Sequence, residues 1–135
     1  MLIDEHLARA SSFEKSAAKL DPVEDTELWI VFLMRAGTGR VNVALHALGL
    51  TEEGPVAAGA RIGDMNHSYK PTLDGELPED VRILFRHLKL IEDLRPEYVR
   101  GPSLLTPELA ADCRSAYEAI VAGATAILER RKEVA

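Results

Sequence analysis

Leu28 to Met34, the run LWIVFLM, is the longest unbroken apolar stretch in a chain of 135 residues. On a helix, seven such residues leave no polar face, so other elements or a partner chain must wrap the segment on every side. The run is also far shorter than the roughly 20 apolar residues that a bilayer crossing needs. The expectation is therefore a central helix within one soluble domain over residues 1–135, with no membrane span.

The remaining sequence offers the wrapping. Leu7, Ala10, Phe13, Ala17 and Leu20 fall three or four apart behind Asp4, which predicts a first helix over 4–20. Pro22 with Glu24, Asp25 and Glu27 supplies a fixed φ and early acids, so a second helix is expected over 22–49, stopped by Gly49. Inside it, Gly37 and Gly39 each cost about 1 kcal/mol relative to Ala, which leaves bending, breakage and close packing all open. Thr51, Glu52, Glu53 and Pro55 predict a short helix through about Asp64, and 65–77 carries turn chemistry. Val81, Leu84, Phe85, Leu88, Ile91 and Leu94 give the clearest amphipathic pattern, over 78–94. Thr106 and Pro107 open a last helix over 106–130, with Leu109, Cys113, Ala116, Ile120, Ala124, Ile127 and Leu128 on its stripe. No strand-like alternation competes with these patterns. The predicted fold is all-α, an antiparallel four-helix bundle with one additional short helix. Its expected core includes Phe13, Trp29, Phe32, Leu33, Leu45, Leu48, Leu84, Phe85, Leu88, Ile120 and Leu128.

Sixteen Lys and Arg stand against 22 Asp and Glu, a formal net charge of −6. The whole-molecule field repels a polyanion, so any nucleic acid has to be met by a local basic patch, which argues against a nucleic-acid-coating role. Cys113 is the single cysteine and forms no internal disulfide, which fits a reducing compartment. With no apolar leader among the mixed charges of residues 1–15, the expected location is the cytoplasm. The exposed part of Leu28 to Met34 would mark a homodimer contact or the seat of a protein partner.

Four histidines, His6, His46, His67 and His87, raise the question of a metal. A carboxylate-bridged dimetal bundle needs Glu-x-x-His on two helices, and the nearest equivalent is Asp64-x-x-His67. The spacing predicts no metal site and no cofactor, with His6 and His67 exposed and His46 and His87 packed at helix boundaries. Cys113 lies on an apolar stripe, which predicts an inert buried thiol rather than a nucleophile. Arg40, Asn42 and His46 form a more suggestive group, because Asn42 and His46 are i, i+4 and share a helix face. A cation, an amide and an imidazole can bind a phosphodiester, the His moving a proton and the Arg stabilising charge on phosphate. The same residues also read as a polar seam on an apolar helix. Arg82, Arg86 and His87 form a second basic group, a candidate binding face or a solvated one.

The run Arg40 to Leu50, RVNVALHALGL, is followed by Asn66-His67-Ser68 and by a long helix ending in Leu94-Arg95-Pro96-Glu97-Tyr98. Over about residues 26–130 this arrangement resembles the HEPN superfamily of helical bundles. The resemblance implies a dimer and, in active members, metal-independent RNA cleavage through an Arg-x4–6-His motif. Arg40 and His46 would be its two ends, with Val41 where the polar residue after the Arg usually stands and Asn42 one place later. Arg82 to His87 has the same bare spacing. The function so implied is binding of RNA or a nucleotide, with ribonuclease activity in the catalytic form. The alternative is a noncatalytic bundle that dimerises or binds a protein partner.

Overall fold

A computed structural model describes residues 1–54, 63–66 and 75–134 of the chain. The short helix expected through Asp64 and the loop expected over 65–77 lie largely outside the described residues, as does His67. The described residues are helical without a strand: α1 (Ile3–Ala18), α2 (Thr26–Ala47), α3 (Glu79–Glu92), a single π-helical turn (Arg95–Val99) and α4 (Pro107–Val134). All four predicted long helices are present. The second begins four residues later than expected, because Asp21 to Asp25 fold into a turn of their own. The Asp21 carboxylate accepts from the backbone N–H groups of Val23 and Glu24, and that of Asp25 accepts from the N–H of Asp21.

α2 is the central element and packs against α1, α3 and α4. It runs unbroken through Gly37 and Gly39, and of the two only Gly37 is closely packed. A Cβ on Gly37 would stand 3.3 Å from the Leu88 side chain, and one on Gly39 would meet the His6 carbonyl oxygen at 3.6 Å and the Ala10 Cβ at 3.7 Å. At its end, Gly49 takes φ +71, the N–H of Leu50 donates to the Leu45 carbonyl, and that of Gly49 donates to the His46 carbonyl. This is the left-handed glycine stop that residue type predicted. Arg131 of α4 closes the same helix end by donating to the carbonyls of His46 and Ala47.

Burial follows the predicted stripes with two corrections. Trp29, Leu33, Leu45, Leu84, Leu88 and Ile120 are buried, and Phe13, Phe32, Phe85 and Leu128 pack against them while partly exposed. Leu48 is 41% exposed, since it lies one residue past α2 where nothing covers it. The second correction concerns α1, whose predicted stripe holds at Ala10, Phe13, Ala17 and Leu20 but passes through His6 rather than Leu7. His6, Ala10 and Ala17 are buried, so His6 is inside rather than exposed. Apolar character also continues along α2 beyond Met34, and the helix as a whole reaches the length and hydropathy of a membrane span, with 72% of that window buried inside the protein. Of the Leu28 to Met34 run, Trp29, Ile30, Leu33 and Met34 are covered by the chain itself, and Leu28 remains 54% exposed.

Candidate functional site

α1 and α2 meet at Gly39, and beside this contact they frame a cleft of about 510 Å³. From α1 it is lined by His6, Arg9, Ala10 and Phe13, which are related by i, i+3, i+4 and i+7. From α2 come Arg35, Thr38, Gly39 and Asn42, and the segment Asp64 to Asn66 closes one side. The volume is in the range of small-molecule sites.

Asn42 holds that segment in position. Its side-chain Nδ2 donates to the Met65 carbonyl at 2.8 Å, and its Oδ1 accepts from the Met65 N–H at 3.0 Å. The amide thus pairs with a backbone as a neighbouring strand would, satisfying groups that burial would otherwise leave costly. Asn42 is 1% exposed, and its role is to position Asp64 next door.

Asp64 is where two imidazoles converge. Its Oδ1 accepts from His6 Nε2 at 2.9 Å and from His46 Nε2 at 2.7 Å, and its Oδ2 accepts from the Met1 amino group at 2.7 Å. Burial acts to raise the Asp64 pKa, but the bonds from the amine and the two rings outweigh it and hold the carboxyl down at about 2. His6 moves the other way from what a carboxylate neighbour alone would cause: burial lowers its pKa and prevails over the Asp64 bond. His46 has no exposed side-chain surface, and its Nδ1 is 2.6 Å from Thr51 Oγ1, a buried hydroxyl. The two rings lie 5.4 Å apart between centroids.

The residues singled out in the sequence separate here. Arg40 points away from His46 and pairs with Glu14 at 2.8 Å, and Tyr117 donates a short hydrogen bond to the same carboxylate oxygen. Burial works to lower the Arg40 pKa, and the bonds to Glu14 and Tyr117 overcome it, raising it above its ordinary value. Six residues of helix place Arg40 and His46 about 120° apart around α2, so they do not share a face. Thr38, Asn42 and His46, at i, i+4 and i+8, are the polar seam. On α3, Arg82 bonds Glu76 and Glu79, Arg86 reaches Glu79 at 3.4 Å, and His87 is half-buried. Nearby acids therefore largely offset this basic group. Cys113 is fully buried and burial pushes its thiol up to about 12, which matches the inert reading.

Sequence reasoning missed the place of His6, Arg9 and Arg35 in this cleft, the part of Thr51 and the central position of Asp64. One signal was available for His6: it stands four residues before Ala10 and seven before Phe13, on the α1 stripe itself. Arg9 and Arg35 are exposed on the cleft, and among the described residues neither has a carboxylate partner; the Arg9 guanidinium lies 5.5 Å over the Phe13 ring. Thr38 Oγ1 is buried without a hydrogen-bond partner among the described residues.

No family model, curated protein or solved structure matches the chain.

Proposed function

We propose that the α1–α2 cleft binds a phosphate-bearing ligand, a nucleotide or a segment of RNA. The observation that carries this is the pair Arg9 and Arg35, two exposed arginines on one cleft, neither of them in an ion pair with an acid among the described residues, in a chain of net charge −6. Guanidinium groups match phosphate in geometry and charge, and a concave setting concentrates their field where the rest of the surface repels an anion. Phe13 lies at the same wall with the Arg9 guanidinium over its ring, so a base that stacked there would take the place of that guanidinium and free it for phosphate.

The reading is one of binding. In the arrangement that the HEPN resemblance implies, an antiparallel bundle with Arg40 and His46 at one phosphate, cleavage requires both side chains to reach the ligand. Here Arg40 is engaged by Glu14, and His46 is sealed behind Asp64. Ligand recognition in the cleft needs neither. Fluorescence anisotropy with a labelled single-stranded RNA and competition by a nucleoside triphosphate tests it. Arg9→Gln combined with Arg35→Gln should weaken binding at least tenfold and flatten its dependence on salt, since each lost phosphate contact removes released counterions. Binding unchanged in the double variant would rule out the cleft as the site.

A second reading, a homodimer or a bundle that docks a protein partner, is favoured by Leu28 and Leu104, 54% and 58% exposed. Both lie within two residues of the buried hydrogen bond from the Leu105 N–H to Thr26 Oγ1. Light scattering of the wild type and of Leu28→Ser with Leu104→Ser tests this reading, which requires a dimer mass, or partner binding, that the double substitution abolishes.

A further inference from the structure

We propose that His6, His46 and Asp64 form a binding site for one divalent first-row transition metal ion, open to the cleft. The three ligand atoms come from three separate parts of the chain and all lie within 4.8 Å of one another. Two imidazoles and a carboxylate are the donor set that suits zinc, manganese, iron or cobalt, whereas magnesium and calcium take oxygen donors. The proposal stands apart from the anion reading, because it rests on these donors and not on Arg9 or Arg35.

The distances suit an ion. Two donors each about 2.1 Å from a metal, at 90–110° to each other, stand about 3.0–3.4 Å apart. The Nε2 atoms of His6 and His46 are 2.9 and 2.7 Å from Asp64 Oδ1, so a separation of a few tenths of an ångström admits the ion where two N–H protons now sit. Loading is then a tautomer exchange: the metal takes the place of each Nε2 proton, and the neutral ring carries its proton on Nδ1 instead, so no net proton is lost from either histidine.

Outer contacts are placed as a metal site needs them. Thr51 Oγ1 lies at the far nitrogen of His46, where it fixes the ring's orientation with Nε2 aimed at Asp64. A hydroxyl can serve both states, donating to Nδ1 when Nε2 carries the proton and accepting from Nδ1–H when Nε2 is bound to metal. Asn42 fixes Asp64 through the neighbouring Met65 backbone. His46 is the sealed inner ligand, whereas His6 and Asp64 line the cleft, so the remaining coordination positions lie on the cleft side, where the Met1 amino group also reaches Asp64 Oδ2. Three protein ligands and an open side are the form of a site that exchanges water for ligand, rather than of a closed structural one.

The spacing of histidines in the sequence predicted no metal, because a spacing rule sees only ligands close together in the chain. The test reads the metal directly. Untagged full-length protein, stripped with a chelator and dialysed, is titrated with Zn²⁺ by calorimetry and with Co²⁺ by visible absorption, without any nucleotide. The expected result is one ion per chain, a Co²⁺ ligand-field spectrum, and affinity weakened at least 100-fold by Asp64→Asn and by His6→Gln. Circular dichroism of the metal-free variants separates a lost ligand from a lost fold, and Asp64→Asn retains size and a hydrogen-bond acceptor. A folded wild type that gives no saturable Zn²⁺ binding and no Co²⁺ spectrum overturns the proposal, as does binding that both substitutions leave unchanged. Should either variant fail to fold, the wild-type titration decides alone.

Discussion

The two sides of α2 are built on different physics. Toward α3 and α4 the helix is dry: Gly37 sits against Leu88, Ile120 and Tyr117, and Leu84 and Leu88 are wholly buried. Toward α1 and the Asp64 segment it carries Thr38, Asn42 and His46, all buried and all polar. Dispersion and removal of apolar surface hold the first side together, and any residue of the right volume serves it. The second side depends on directed pairing at Asn42 and His46, where a substitution strands the partner. The same helix therefore tolerates variation on one face and not on the other.

The largest effects expected from breaking this comparison are of similar size but different kind. Leu88→Ala should lower stability by about 2–5 kcal/mol through the cavity it leaves, with the cleft intact. Asn42→Ala should lower it by about 2–4 kcal/mol, because the Met65 N–H and carbonyl both lose their partner in a buried setting. Urea denaturation gives both values. Limited proteolysis distinguishes them: only the Asn42 variant should be cut faster near Asp64 under native conditions, since only it releases that segment.

A smaller effect tests the dry side. A Cβ on Gly123 of α4 would stand 2.7 Å from Leu84 Cδ2, and Leu84 has no exposed surface into which to move. Gly123→Ala should cost about 1–3 kcal/mol in overpacking, reduced by the roughly 1 kcal/mol that alanine gains in a helix. A melting temperature equal to or above that of the wild type would show that this face is looser than its burial indicates.

What could be read in advance divides along the same line. The dry side was legible because its information is local: Val81, Leu84, Leu88 and Ile91 repeat at helical intervals, and the repeat itself says which face is covered. Gly49 was legible for a similar reason, since a glycine after a helical pattern is a stop with a known mechanism. The polar side was legible only in part. Asn42 and His46 stood out at i, i+4, yet nothing near them in the chain names Met65, Thr51 or Asp64 as partners. Arg40 was grouped with His46 by closeness in sequence, whereas the helix turns it toward Glu14. The α1 stripe was traced through Leu7 when the covered face runs through His6, because a histidine is not counted among apolar residues when a stripe is drawn.

Acid should act on the polar side first. In metal-free protein His6 has its pKa lowered from 6.5 by burial, so below 6.5 the unfolded chain binds more protons than the folded one. The stability His6 contributes is present above 6.5 and is lost as pH falls through the folded value. Asp64 is depressed from 3.8 to about 2, so its contribution is present above 3.8 and is lost as pH falls toward 2. Both slopes have the same sign, and stability should decline in two steps on acidification. The upper step should vanish in His6→Gln and the lower one in Asp64→Asn. A urea midpoint that is flat from pH 7 to 5 in the wild type would contradict the upper step.

The smallest expected change is the most direct measure of how the two helices at the cleft meet. Gly39 lies where α1 crosses α2, yet an added Cβ would find the His6 carbonyl oxygen at 3.6 Å and Ala10 Cβ at 3.7 Å, ordinary contact distances. Nothing in the α2 backbone requires glycine either, since Gly39 is helical and has no positive φ. Gly39→Ala should therefore raise stability by up to about 1 kcal/mol, the helix-propensity gain, without displacing α1. Gly37→Ala, whose Cβ would press on Leu88 at 3.3 Å inside the dry core, should gain less or lose. If Gly39→Ala destabilises instead, the helices pack more closely at the cleft than these distances allow. His6, carried on that stretch of α1, would then be shifted relative to His46, and metal affinity would fall together with stability.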